Sequence, residues 1–235
     1  MKNIAVIDVG SNSVRLMFVA DGKVLYKALE TTRLGESIAA TGLLSASAIE
    51  RTANAVAAFY QKARNEGAQT VRAFATAAVR SSKNGGEFLK SVAALCPLQV
   101  EVISGEEEAK LGILGAIGSA DGAMIDIGGA STELTVQKNG AVVYAKSVNV
   151  GAVRLKDLCG RDWEALQNYC ENAVKEFEKI PQGVQFYAIG GTERRSLLFF
   201  LGKKPTTAQP LRARKFPQSK CKISRKRSQK FLWKR

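Results

Sequence analysis

The sequence predicts an α/β chain of two similar lobes facing a shared cleft, followed by a basic extension. Three observations carry that expectation. An apolar strand ends in Asp-apolar-Gly twice, in NIAVIDVGSNSVRL at Asn3–Leu16 with Asp8 and in AMIDIGGASTELTV at Ala123–Val136 with Asp126. The two aspartates stand 118 residues apart, too far for a short array repeat and suited to two lobes that each present one loop. Strands and helices alternate between the two stretches, which is the pattern of an α/β domain, and a further strand-to-glycine transition, FYAIGGT, ends at Thr192.

In order along the chain, Val14–Ala20 and Lys23–Glu30 flank Asp21-Gly22, a dipeptide that favours a two-residue type I′ hairpin turn. Residues 33–44 read as a loop. A helix follows from about Ser45 to Arg64, with Ser45 or Ser47 as N-cap and Glu50 completing a capping box for the latter. Ile49, Val56, Phe59 and Ala63 form its apolar stripe, and Gly67 marks its exit. Thr70–Thr76 is a strand leading into Ala77–Arg80, followed by a short helix around Gly86–Ala94 and a strand at Leu98–Ile103. Ser104-Gly105-Glu106-Glu107 is a capping box opening a helix that ends at Gly118, and its glutamates suit the positive helix N-terminus. Glu108 lies about 100° further round that helix than Glu107 and need not share the capping role.

The second lobe begins near Asp121. Its first strand ends at Asp126, and the strand after the Gly-rich turn alternates so that Leu134 and Val136 face inward and Glu133 the opposite way. A plain hairpin with a glycine turn would give the same local pattern. Asn139-Gly140 turns the chain into a strand at Ala141–Ser147. Gly151–Leu158 and Asp162–Glu178 read as helices, the latter with Trp163, Leu166, Cys170, Val174 and Phe177 on one face. A strand at Val184–Ile189 then reaches Gly190-Gly191-Thr192. The expected divisions are 1–120, 121–193 and 194–235.

Charge is unevenly spread. The net charge is +14, yet Glu193 is the last acidic residue, and 15 of the 35 Lys and Arg residues fall in 194–235. The first 193 residues therefore carry a net charge of −1, so a neutral body bears a basic tail. The absence of histidine excludes imidazole bases and Ser-His-Asp or Cys-His chemistry, leaving proton transfer at neutral pH to carboxylates, Lys, Tyr or Cys. Four scattered cysteines without C-x-x-C spacing read as free thiols in a reducing compartment. With no signal-like N-terminus and no membrane-length apolar run, a cytoplasmic location and no membrane partner are expected.

The loops DVGSNSVR and DIGGASTE, ATAAVR at Ala75–Arg80, SGEEEA at Ser104–Ala109 and the late IGGT occur in one order, and together they resemble the exopolyphosphatase and guanosine pentaphosphate phosphohydrolase family. The resemblance covers residues 1 to about 192. It implies an actin-like, sugar-kinase-like fold and hydrolysis of a terminal phosphoryl group from polyphosphate or guanosine pentaphosphate. Phosphate oxygens would be held by Gly10, Ser11, Asn12 and Ser13, by Gly128, Gly129, Ala130, Ser131 and Thr132, and by Gly191 and Thr192. Arg15 and Arg80 would neutralise developing charge; taken alone, Arg80 reads rather as a solvated helix-end charge, and the resemblance reverses that. Asp8, Asp126 and Glu133 would carry Mg²⁺. The glutamate directly before the small residue, Glu108, would position or deprotonate the attacking water, with Glu107 as the alternative. A homodimer is also admitted.

Two competing readings stand beside the hydrolase. An actin-like phosphotransferase shares the loop pair, and SGEEEA favours the hydrolase over it. The tail offers a sequence-blind, salt-sensitive affinity for nucleic acid or another polyanion. Family members continue after the GGT turn with small and apolar residues and further second-lobe helices, whereas this chain has Glu193-Arg194-Arg195 and then no acid, so the resemblance implies an incomplete second lobe. A translational frameshift is the expectation drawn from that step, and a deliberate basic extension is its competitor.

Overall fold

The computed structural model describes residues 3–177, 180–181, 183–189 and 214–216. Strands β1 (Ile4–Val9), β2 (Ser13–Ala20) and β3 (Lys23–Thr31) form an antiparallel meander. Asp21 and Gly22 both have positive φ, 49° and 75°, as the type I′ hairpin requires. Helices α1 (Ile38–Thr41) and α2 (Ala46–Asn65) follow, then β4 (Thr70–Ala75) parallel to β1, α3 (Ala77–Ser81), α4 (Gly85–Leu95) and β5 (Val100–Val102). The first sheet has the order β3-β2-β1-β4-β5. Ala5, Ile7 and Val9 of β1 and Val14, Leu16 and Phe18 of β2 point into one core with the stripe of α2. Full burial of a side chain such as Ile7 or Leu16 contributes about 1.5–3 kcal/mol.

Helix α5 (Gly105–Ile117) leads to β6 (Gly122–Ile127), β7 (Thr132–Lys138) and β8 (Ala141–Val148), a second antiparallel meander turned by Asn139 and Gly140 at φ 52° and 72°. Helices α6 (Ala152–Cys159) and α7 (Trp163–Lys175) precede β9 (Phe186–Ile189), which pairs parallel to β6. β10 (Arg214–Phe216) pairs antiparallel to β9, giving the order β10-β9-β6-β7-β8. The repetition seen in sequence is thus a repetition of topology, since each sheet is a meander followed by a strand parallel to its first. The tail beyond Glu193 contributes the short edge strand β10; its remaining residues, with Gly191 and Thr192, lie outside the described residues. Among the described residues no helix is long and apolar enough to cross a membrane.

Several local expectations need correction. The loop at 33–44 contains the one-turn helix α1. The cap of α2 is Ser45, whose hydroxyl accepts from the Ala48 N–H at 3.2 Å, so the Ser47–Glu50 box is not formed. β7 is not half-buried: Glu133, Thr135 and Gln137 are buried along with Leu134 and Val136. The cause is α5, which packs on β6, β7 and β8 and covers the polar face. Gln137 Nε2 there donates to the carbonyls of Gly118 and Ala120, each at 2.8 Å. The helix before the expected boundary at 120 therefore lies on the second sheet. The stripe expected on α7 is only partly covered, because that helix packs on α6: Ala173 is buried, but Trp163 and Val174 are exposed.

Candidate active site

The two Asp-Gly loops meet. Gly10 N–H donates to the Ser13 carbonyl at 3.1 Å, and Gly128 N–H donates to the Ser131 carbonyl at 3.0 Å, so the same tight turn is built twice. A Cβ on Gly129 would stand 3.0 Å from the Ser11 Cβ, so glycine is what lets the second loop approach the first. The N-terminus of α6 braces the second loop from behind. Ala152 N–H donates to Gly128 O at 3.0 Å, Val153 N–H to Gly129 O at 2.8 Å, and Arg154 Nε to Ala130 O at 2.9 Å. A Cβ on Gly151 would lie 2.6 Å from the Gly129 carbonyl, a distance no side chain tolerates. A further bond ties the lobes, from Ser37 N–H to Asp157 Oδ2 at 2.8 Å.

Between the loops lies a cleft of about 320 Å³. Its walls include Gly10, Ser11, Asn12 and Ser13 from the first loop and Gly128, Gly129, Ala130 and Ser131 from the second. Asp8, Arg15, Glu108, Asp126 and Glu133 also face it. Thr132 does not: its hydroxyl donates to the Val150 carbonyl at 2.6 Å and is committed to the fold. Arg80 does not line the cleft either, but stands behind Glu108, its Nη1 donating to Glu108 Oε2 at 3.1 Å and to the Ile103 carbonyl at 2.8 Å. It is thus no solvated helix end; it is held in place by a backbone acceptor. Sequence reading missed Phe74, Thr76, Ile103 and Leu111, which also line the cleft. Thr76 and Ile103 were legible in principle, since each ends the run of a parallel strand on the side of Asp8, where α/β sheets bind ligands.

The repeat is chemically asymmetric. Asp8 is opposite Arg15 in the β1–β2 register, and Asp126 is opposite Glu133 in the β6–β7 register. The first pair is an ion pair, Arg15 Nη1 to Asp8 Oδ2 at 3.4 Å, and the second is carboxylate against carboxylate. Burial and the Glu133 charge push the Asp126 carboxyl up to about 6. Glu108 is pushed up to about 7 by burial first and by Glu133 second, with Arg80 working against the rise. Asp8 is also raised by desolvation, partly offset by Arg15. Glu107 behaves oppositely. Its Oε2 accepts from Ser104 N–H at 2.8 Å and the Ser104 hydroxyl accepts from Glu107 N–H at 3.1 Å, the reciprocal capping box. Those bonds hold Glu107 below the usual carboxylate range.

Four carboxylates thus gather in the cleft beside the Arg15 guanidinium, with the Arg80 guanidinium behind one of them. Among the described residues no three His, Cys, Asp or Glu side chains converge as a metal cage, so Asp8, Asp126 and Glu133 do not form one by themselves. Mg²⁺, however, is commonly held by one or two carboxylates with substrate phosphates and water completing its shell. The Asp126 carboxylate accepts no hydrogen bond from the described residues and suffers repulsion that a dication would relieve, so the donor set fits such a site.

Paired meanders around a cleft, each presenting an Asp-Gly loop, define the actin-like, sugar-kinase-like architecture. The inorganic polyphosphate/ATP-glucomannokinase of Arthrobacter sp. strain KM shares it, with a TM-score of 0.50, 17% identity, and coverage of 87% of this chain and 89% of that one, a likeness of fold alone. The chain belongs to the Ppx/GppA phosphatase family, whose profile matches residues 4–232. That match runs beyond Thr192, where the motif resemblance ended. The Aquifex aeolicus Ppx/GppA enzyme is similar in structure, with a TM-score of 0.69, 30% identity, and coverage of 87% of this chain and 73% of that one. Exopolyphosphatase 2 of Mycobacterium tuberculosis is 33% identical over 68% of this chain and 55% of its own length. The chain thus spans about half the length of the curated relatives it matches.

Proposed function

We propose that the chain acts as a phosphoanhydride hydrolase that releases the terminal phosphoryl group of inorganic polyphosphate or of guanosine pentaphosphate. One observation carries the reading: of two adjacent glutamates, Glu107 is committed to the helix cap while Glu108 faces the cleft with a carboxyl raised to about 7. A base poised near neutral pH suits removal of a proton from water, and a chain without histidine needs a carboxylate for that task. Membership of the family and likeness to a protein named exopolyphosphatase support the same substrate class.

In this reading the backbone N–H groups and hydroxyls of the paired loops bind phosphate oxygens and orient the terminal group toward Glu108. Arg15 lies in the cleft wall where it can meet charge on the transferred group. Arg80 keeps Glu108 oriented through its own anchor on the Ile103 carbonyl. Glu108 holds the attacking water and accepts its proton. Asp126 and Asp8, with Glu133 adding charge beside Asp126, would hold Mg²⁺, which when bound neutralises phosphate oxygens and so lets a polyanion enter a cleft rich in carboxylates. Leu111 and Phe74 give the cleft apolar wall that limits water.

The test is phosphate release from polyphosphate and from guanosine pentaphosphate, with and without Mg²⁺, for the wild type and Glu108→Gln. Mg²⁺-dependent release that falls at least about a hundredfold in the variant supports the reading. Transfer of the phosphoryl group to a sugar hydroxyl, with no release to water, overturns it in favour of a phosphotransferase.

A further inference from the structure

Glu133 is 2% exposed and lies opposite Asp126, yet the described residues give its carboxylate a single hydrogen bond. The donor is the Ser147 hydroxyl, 2.7 Å from Oε1. Ser147 is the register partner of Glu133 on β8, so both side chains leave the sheet on the face that α5 covers. That helix comes very close: a Cβ on Gly105 would stand 3.1 Å from the Ser147 Cβ and 3.4 Å from its hydroxyl oxygen. Ser147 is therefore wedged between the start of α5 and Glu133.

The topological repeat provides an internal control. The position equivalent to Ser147 is Leu29, the register partner of Arg15 on β3, and it is 60% exposed with no polar atom in its side chain. Arg15 has Asp8 as its partner and needs no help from β3. Glu133 faces another carboxylate instead, and at this paired position the third strand supplies a hydroxyl in the second sheet but not in the first.

Resting on the hydrolase reading, we propose that Ser147 is a positioning residue: its hydroxyl fixes one oxygen of Glu133, leaving the other for the cleft. Without that bond the buried carboxylate has no donor among the described residues to hold it against repulsion from Asp126 and Glu108, and it turns away. Ser147 touches neither substrate nor metal in this scheme and acts through Glu133 alone.

A double-mutant cycle of Ser147→Ala and Glu133→Gln tests this on the full chain, because coupled residues give non-additive effects. It is read in turnover of polyphosphate and, separately, in Mg²⁺ affinity measured calorimetrically without substrate, with thermal melting as a check on folding. Ser147→Ala is expected to lower kcat about tenfold with KM little changed, and to weaken Mg²⁺ binding, as loss of an orienting partner does. In the Glu133→Gln background the same change is expected to have no further effect on either quantity. Equal losses in both backgrounds overturn the proposal, as do wild-type turnover and Mg²⁺ affinity in Ser147→Ala while Glu133→Gln is impaired. If Glu133→Gln is itself silent in both, the part given to Glu133 in the hydrolase reading fails, and the positioning role of Ser147 falls with it.

Discussion

Replacing Glu108 by Gln is expected to make the protein more stable and almost inactive at the same time. In the folded chain the Glu108 carboxyl is raised from 4.5 to about 7, a difference worth roughly 3 kcal/mol against the ionised form. Its side chain is 23% exposed, so solvent screening removes only part of that figure. A folded pKa above the unfolded one favours the fold at low pH, and that contribution is lost as pH rises from 4.5 through about 7. At pH 8 the wild type therefore carries the full penalty of a buried charge, and Gln, which is neutral and can still accept from Arg80, does not. Melting temperatures should be higher for the variant at pH 8, and the gain should shrink toward pH 5. Turnover should rise with pH around neutrality in the wild type and fall by on the order of a hundredfold or more in the variant, with that pH limb flattened. Phosphate release at saturating substrate and thermal melting, each across pH 5–9, measure both. A variant that keeps turnover within a few-fold of wild type refutes the role given to Glu108. So does loss of turnover in Glu107→Gln with Glu108→Gln unimpaired; Glu107→Gln should only lower the melting point through its cap.

Asp126→Asn should weaken Mg²⁺ binding while preserving the fold, since it removes a carboxylate whose charge burial already disfavours; unchanged Mg²⁺ dependence in phosphate release would move the metal toward Asp8. Gly151→Ala should lower the melting temperature and phosphate affinity together, because the added methyl meets the Gly129 carbonyl at 2.6 Å and must displace the second loop; wild-type values in both measurements would refute that bracing. With 15 basic residues and no acid from Arg194 onward, the full chain should be retained on heparin and elute steeply with salt; retention insensitive to salt would argue against a polyanion-binding extension.

The duplicated loops were legible because their requirements are local. A strand followed by a turn whose N–H must reach forward three residues, as in Gly10 to Ser13 and Gly128 to Ser131, admits few residue types. The Asp21-Gly22 and Asn139-Gly140 hairpins were legible for the same reason, since positive φ at both positions restricts them. The capping box of Ser104 and Glu107 also follows from spacing alone, and by assigning Glu107 it left Glu108 available. By contrast, the environments of Arg80 and Glu133 depend on partners far along the chain. Ile103 lies 23 residues from Arg80, and Ser147 lies 14 residues from Glu133 on another strand.

That the chain is α/β, that it repeats, and which short stretches turn could be read from residue order, because backbone sterics and capping act within a few residues. What those stretches face depends on packing between segments far apart in the chain. It laid α5 on the second sheet and so buried the polar side of β7, where alternation alone predicted exposure. It withdrew Thr132 from the cleft and placed Arg80 behind Glu108. It also buried Asp126 and Glu108 beside Glu133, which raises the proton affinity of both, an effect that exists only where low-dielectric burial joins charges the chain keeps apart.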